Sequence, residues 1–168
     1  MFASLARPVI ALAASLGLAG CFQPLHGGAL SHSTDMLAQI EVLPIEGHLG
    51  HQLKSELDFI LNNGTLPEKP LYRLSIRPST GISAVVADST SGRPQVMTYA
   101  LSANYQLVSI KDGRAVSIGT ASANASFDRT QQRFATTRAT RDVEIRSARV
   151  IAEQIRARII PDLLAPKS

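Results

Sequence analysis

The sequence predicts an α+β fold, a two-layer sandwich with two helices packed on one face of a four-stranded mixed sheet, and three observations carry that prediction. Met97, Tyr99, Leu101, Ala103, Tyr105 and Leu107 fall on one side of an extended segment and Thr98, Ser102, Asn104 and Gln106 on the other, six successive matches to the period of two that a strand imposes. Leu49, Leu53, Leu57, Ile60 and Leu61 recur at helical spacing. Between about Ala139 and Ile160, a second apolar stripe of Val143, Ala148, Ile151, Ala152, Ile155 and Ile159 runs opposite a row of arginines. An element with one apolar side has to bury it, and two such helices against one sheet share a single core.

In chain order, Ala38, Ile40 and Val42 alternate with polar neighbours before Pro44 and predict a short first strand. The Leu49–Leu61 helix follows, and Asn62-Asn63-Gly64 stops it with residues that tolerate positive φ. After Pro67 and Pro70, Tyr72, Leu74 and Ile76 alternate with Arg73, Ser75 and Arg77 in a second strand, which the apolar run Ile82 to Ala87 continues or follows. The polar loop Asp88-Ser89-Thr90-Ser91-Gly92-Arg93-Pro94 separates it from the long alternating strand. Lys111-Asp112-Gly113-Arg114 predicts a hairpin turn of the Asp-Gly kind. The return strand, Ala115 to Phe127, is so rich in Ser and Ala that its facing is not set by pattern. The last helix is expected to end or kink at Pro161, because proline removes a backbone donor. A strand joined through a helix to the next pairs in parallel with it or a near neighbour, whereas hairpins are antiparallel, hence a mixed sheet. Its second face is expected to be partly polar and open to a partner.

The N-terminus carries a different signal. Arg7 and the free amine precede an apolar stretch, Val9 to Leu18, and small residues lead to the only cysteine in Leu18-Ala19-Gly20-Cys21. The stretch is roughly half of the ~20 residues that span a bilayer, and small residues before the cysteine suit cleavage. This is the layout of a bacterial lipoprotein signal, with Cys21 as the lipidation site. The expected organisation is a signal peptide at 1–20, a lipidated Gly/His/Ser-rich tether at 21–35 and one domain at 36–168. N-acyl and S-diacylglycerol groups on Cys21 hold such a chain at a membrane, since each buried methylene contributes about 0.8 kcal/mol and stable anchoring takes about two chains. No other cofactor is expected. Phe22, where an aspartate would favour inner-membrane retention, directs the expectation to the periplasmic side of the outer membrane.

The mature length allows one core, and with a single cysteine no internal disulfide can brace it. The formal charge of +4 falls to +3 once Arg7 leaves with the signal peptide. Between Asp128 and Ile160 stand Arg129, Arg133, Arg138, Arg141, Arg146, Arg149, Arg156 and Arg158 against Asp128, Asp142, Glu144 and Glu153. A basic end suits an anionic partner, and at a Gram-negative outer membrane the abundant anion is lipopolysaccharide. An exported protein rarely meets nucleic acid, so that class is set aside.

The run Leu18-Ala19-Gly20-Cys21 with Phe22-Gln23-Pro24-Leu25-His26-Gly27, the long alternating strand, and Phe134-Ala135 leading to Arg141-Asp142-Val143-Glu144 and Ala152-Glu153-Gln154-Ile155 together resemble the lipopolysaccharide-assembly lipoprotein family LptE, in its alphaproteobacterial branch. The branch would carry a glycine between the cysteine and the aromatic residue, and here Phe22 follows directly. The resemblance covers nearly all of the mature chain and rests on order and spacing. It implies a protein without catalytic chemistry that plugs the LptD outer-membrane β-barrel, assists its assembly and binds lipopolysaccharide. The polar interior of a large barrel suits a polar sheet face and an Arg-rich helix.

Hairpin geometry places the loop carrying Arg93 at the same end as the connection carrying Arg129, Arg133 and Arg138. Guanidinium groups pair bidentately with phosphate, so these four arginines are the candidate site for lipid A phosphates or acidic barrel loops. Lys111 and Arg114 mark the opposite end. His48 and His51 share a helix face without a third ligand nearby, so no metal site is expected. There is no Gly-x-Ser-x-Gly, no phosphate-cradling glycine loop and no free nucleophilic cysteine, and an enzyme is not expected. An auxiliary lipoprotein of a phospholipid or ABC-type transport system is the alternative reading.

Overall fold

The structure, a computed structural model, describes residues 35–87, 94–129 and 132–165. The signal peptide, Cys21 with the tether up to residue 34, and Arg93 lie outside the described residues. The elements are β1 (Ile40–Val42), α1 (Gly47–Asn62), β2 (Tyr72–Ala87), β3 (Pro94–Ser109), β4 (Ala115–Asp128) and α2 (Arg133–Leu164). The strands form one four-stranded sheet in the order β1-β2-β3-β4, with β1 parallel to β2 and the other neighbours antiparallel. Both helices cover the same face, giving the mixed two-layer α+β sandwich that the sequence predicts.

Local chemistry sets the boundaries. Asn63 takes a left-handed φ of 52° after α1, and Gly64 N–H returns to Asp58 C=O at 3.0 Å, which satisfies a carbonyl that the helix end would leave open. At the β3–β4 turn, Gly113 has φ +66° and its N–H reaches Ser109 C=O at 2.9 Å. The run Ile82 to Ala87 belongs to β2, which is one strand of 16 residues with a bulge near Val85.

The core lies between Leu74, Leu101 and Leu107 of the sheet, Leu53 and Leu57 of α1, and Ile151, Ile155 and Ile159 of α2, all essentially inaccessible to solvent. Burying side chains of this size stabilises the fold by about 1.5–3 kcal/mol each. On β4 the inward positions are Ser117, Ala121, Ala123 and Phe127, and α2 lies close over that small surface.

The last helix is longer than expected at both ends. It begins at Arg133, six residues before Ala139, although no residue before Val143 is buried. Its first turns are held locally: Thr137 Oγ1 donates to Arg133 C=O at 3.1 Å and Thr140 Oγ1 to Thr136 C=O at 3.0 Å. Pro161 does not end it. One more turn follows because Leu163 is buried and Ala165 N–H bonds Pro161 C=O at 2.9 Å.

Sheet edges are the usual route to unwanted strand pairing, and here they are protected near the β3–β4 turn. On β4, Gln154 of α2 accepts from Ser122 N–H at 3.2 Å and donates to Ser122 C=O at 3.0 Å, while Arg158 donates to Thr120 C=O. On β2, Leu74 C=O accepts from Leu43 N–H at 2.9 Å, so even-numbered residues direct their backbone to that edge. Pro78 shares the parity, and its missing N–H costs no bond within the sheet.

The two helices run in the same direction, with His48 beside Glu144 at 3.8 Å and Glu56 beside Arg149 at 3.4 Å. As a result α1 begins only at the level of Glu144. Residues 133–142 of α2 and the exposed residues 79–85 of β2 project past it. We call this the arginine end, and the end holding residues 110–114 the turn end.

Candidate functional site

The projecting half of α2 carries the candidate site. Val96 pairs with Asp128, so the chain leaves β4 where β3 begins, and Arg129, Arg133 and Arg138 all lie at that end. Arg93 lies outside the described residues; the described ends of β2 and β3, Ala87 and Pro94, pair at this end. Arg133, Phe134, Thr137, Arg138 and Arg141 line an open recess of ≈ 570 Å³. Phe134 is 77% exposed, and the Arg138 guanidinium stands 5.6 Å from its ring centroid, a cation–π arrangement.

Sequence reasoning did not select Arg141, and its spacing of three from Arg138 and eight from Arg133 is the signal that would have found it. Farther along α2, arginines are engaged: Arg146 with Asp142 at 2.9 Å, Arg149 with Glu56, and Arg158 with Thr120. Among the described residues, no carboxylate pairs with Arg129, Arg133, Arg138 or Arg141. The first turn of α2 holds no acidic residue, so the positive end of its backbone dipole adds to their field. The arrangement offers exposed planar cations around an aromatic surface, which suits a ligand that is both anionic and partly apolar.

The outer face of the sheet is the second distinctive surface. Residues 78–87, 94–110 and 115–127 contain no Asp, Glu, Lys or Arg, in a chain that is 18% charged. Most of its outward side chains are small, such as Ser79, Ser83, Ala100, Ser102, Ser122 and Asn124, and the large exception on β4 is the exposed Ile118. They bond to one another across strands, with Thr120 Oγ1 donating to Asn104 Oδ1 at 2.6 Å and Thr98 and Ser126 hydroxyls 3.3 Å apart. Of the sheet's charges, Glu41, Arg73 and Arg77 lie toward the turn end, and Asp128 closes β4 at the arginine end. Open antiparallel faces normally carry charge, and its depletion is the compositional mark of an interface core.

Among the described residues, no three His, Cys, Asp or Glu side chains gather as metal ligands, and no helix is long and apolar enough to cross a membrane. Among the described residues, the one large electrostatic perturbation is at Tyr99 on β3. Its hydroxyl is buried without a hydrogen-bond partner, and that burial, helped by the charge of Glu144, pushes its pKa from 10.0 up to about 12. A pKa raised in the folded state contributes stability in full below pH 10, and that contribution is lost as pH climbs from 10 to about 12. Tyr99→Phe is therefore expected to fold at least as well at pH 7, since it removes an unsatisfied hydroxyl, and to lose less stability by pH 11 than the parent. Denaturant midpoints at the two pH values check this.

No protein-family model and no curated protein matches the chain. Solved structures match its fold. A Caulobacter crescentus CB15 protein superposes with a TM-score of 0.68 at 20% identity, over 83% of this chain and 100% of its own. A minor lipoprotein of Acinetobacter baumannii gives 0.53 at 15% identity, over 74% and 90%. Lipoprotein B of Nitrosomonas europaea gives 0.55 at 13%, over 75% and 83%. The likeness establishes a shared fold, and all three proteins are named as lipoproteins.

Proposed function

We propose that this protein is a lipid-anchored, non-enzymatic subunit of the lipopolysaccharide translocon of the outer membrane, a partner of an LptD-like β-barrel in the manner of the LptE lipoproteins. Acyl chains on Cys21 hold it on the periplasmic side. The long charge-free stretch of the sheet's outer face, between Arg77 and Asp128, carries the reading. A small-residue surface with cross-strand bonds such as Thr120 to Asn104 and Thr98 to Ser126 can approach the polar wall of a barrel lumen without desolvating a charge. The arginine end then meets lipopolysaccharide, with guanidinium groups on the lipid A phosphates and Phe134 beside an apolar part of the same molecule. The names of the structural neighbours agree with an anchored lipoprotein.

The test is extraction of the membrane in mild detergent and purification through a tag at the C-terminus. Recovery of a very large β-barrel protein in near-stoichiometric amount is expected, and depletion should lower surface lipopolysaccharide and barrel maturation. Recovery of ABC-transporter components in its place, with surface lipopolysaccharide unchanged, would favour the auxiliary-transporter alternative.

A further inference from the structure

We propose that, before the domain engages its barrel partner, its turn end is a membrane-resting tip, inserted shallowly into the phospholipid surface from which the chain is tethered, so that the arginine end is directed away from the bilayer. Four of the large exposed apolar side chains collect there: Leu66 at 66% exposure, Leu71 at 51%, Ile110 at 42% and Leu164 at 47%. They belong to three separate elements. Ile110 N–H donates to Leu71 C=O at 2.9 Å, which places the β3–β4 turn against the loop that leads into β2. Asn62 Nδ2 donates to Ile40 C=O at 2.9 Å, so α1 ends at the start of β1 and the 63–71 loop hangs from this end. Because Gln154 and Arg158 meet successively earlier positions of β4, α2 also runs toward it and finishes at Leu164.

Leucines exposed in a loop that Pro67 and Pro70 stiffen are poorly explained by the domain's own packing. Lys69, Lys111 and Arg114 stand beside them against Glu68 and Asp112, so the tip carries no strong net charge and apolar insertion is its main interaction. The position of the tether indicates the occupant. Gln39 C=O accepts from Leu71 N–H at 3.0 Å, and Gln39 N–H returns to Met36 C=O at 3.2 Å, so the chain enters the domain at this same end. The 13 residues between Cys21 and Asp35 reach at most ~45 Å, close to the ~50 Å length of a 16-residue strand, so the tether alone leaves orientation open. An apolar tip beside the tether removes that freedom.

The proposal rests on the acylated Cys21 for its anchor, and the experiment separates the two. The chain has no tryptophan, so Leu66→Trp, Ile110→Trp and Ile82→Trp each introduce a single emitter, the last at the arginine end. The full protein, purified with its own anchor, is reconstituted into phosphatidylethanolamine–phosphatidylglycerol vesicles containing brominated lipid. Blue-shifted emission and strong quenching are expected for the variants at 66 and 110 and not for the variant at 82. Adding Leu66→Ser and Leu71→Ser to Ile110→Trp should lower the quenching at least two-fold while the anchor persists. Stronger quenching at 82, or quenching at 110 that survives the serines, overturns the tip. Palmitate incorporation reports separately on Cys21, so an acylated protein with an unquenched tip refutes this inference and leaves the anchor standing.

Discussion

Reversing Arg133, Arg138 and Arg141 to glutamate should weaken binding of lipopolysaccharide by about 10²-fold at low ionic strength. All three are exposed and meet no carboxylate among the described residues, so folding should be nearly untouched. A solvent-exposed charge contact contributes about 0.5–1 kcal/mol, and reversal replaces attraction with repulsion, so three reversals give about 3 kcal/mol, or roughly 10² in affinity. The difference should shrink as salt rises, because the Debye length falls from about 10 Å at 0.1 M to about 3 Å at 1 M. Arg146→Glu with Arg149→Glu and Arg156→Glu makes the same change in net charge elsewhere on α2. An equal loss there would show that overall charge, and not the recess around Phe134, attracts the glycolipid. Isothermal titration of the folded variants, with far-ultraviolet circular dichroism as the folding control, reads the result.

Much of this geometry could be read from residue order because large apolar side chains alternate or recur where the sheet and helices meet. Tyr99, Leu101, Tyr105 and Leu107 set the facing of β3 by size alone. The return strand was harder to face. Its inward row holds Ser117, Gly119, Ala121 and Ala123, since the space is taken by neighbours: a Cβ on Gly119 would stand 2.8 Å from Tyr105 Oη, and α2 lies over the alanines. The start of α2 escaped detection for the opposite reason. Residues 133–142 include no fully buried side chain and only Ala139 packs partly against the core, so no apolar stripe announces them, and threonine hydroxyls bonded to the preceding turn support them instead. Pro161 reads as a terminator only when the pull of a buried Leu163 is ignored. The convergence of Arg129, Arg133 and Arg138 followed from hairpin topology. Arg141 and Phe134 joined them only once the helix was seen to begin early. The charge-free sheet face was also present in the sequence, but its meaning depends on knowing which residues share a side.

That face supports the other large effect. Ala100→Arg combined with Ser122→Arg should abolish recovery of the barrel protein in the mild-detergent purification while leaving an intact, folded domain. Both positions are exposed on the outer face, so each substitution should alter stability by no more than about 0.5 kcal/mol. In a complex the same side chains would have to enter a closely packed, polar but uncharged contact. A guanidinium buried there without a partner costs about 3–5 kcal/mol, which alone lowers affinity by 10² or more. Small-to-small changes at the same positions, Ala100→Ser and Ser122→Ala, should leave recovery unchanged, because they keep both the volume and the absence of charge. Retention of the barrel by the double-arginine variant would mean that the outer face stays in solvent and that contact with the barrel, if made, runs through the helix layer. The arginine-end and sheet-face variants should also separate in their phenotypes. Loss of recess charge should spare barrel assembly and weaken glycolipid binding, whereas loss of the flat face should prevent assembly and leave the isolated domain's affinity for lipopolysaccharide intact.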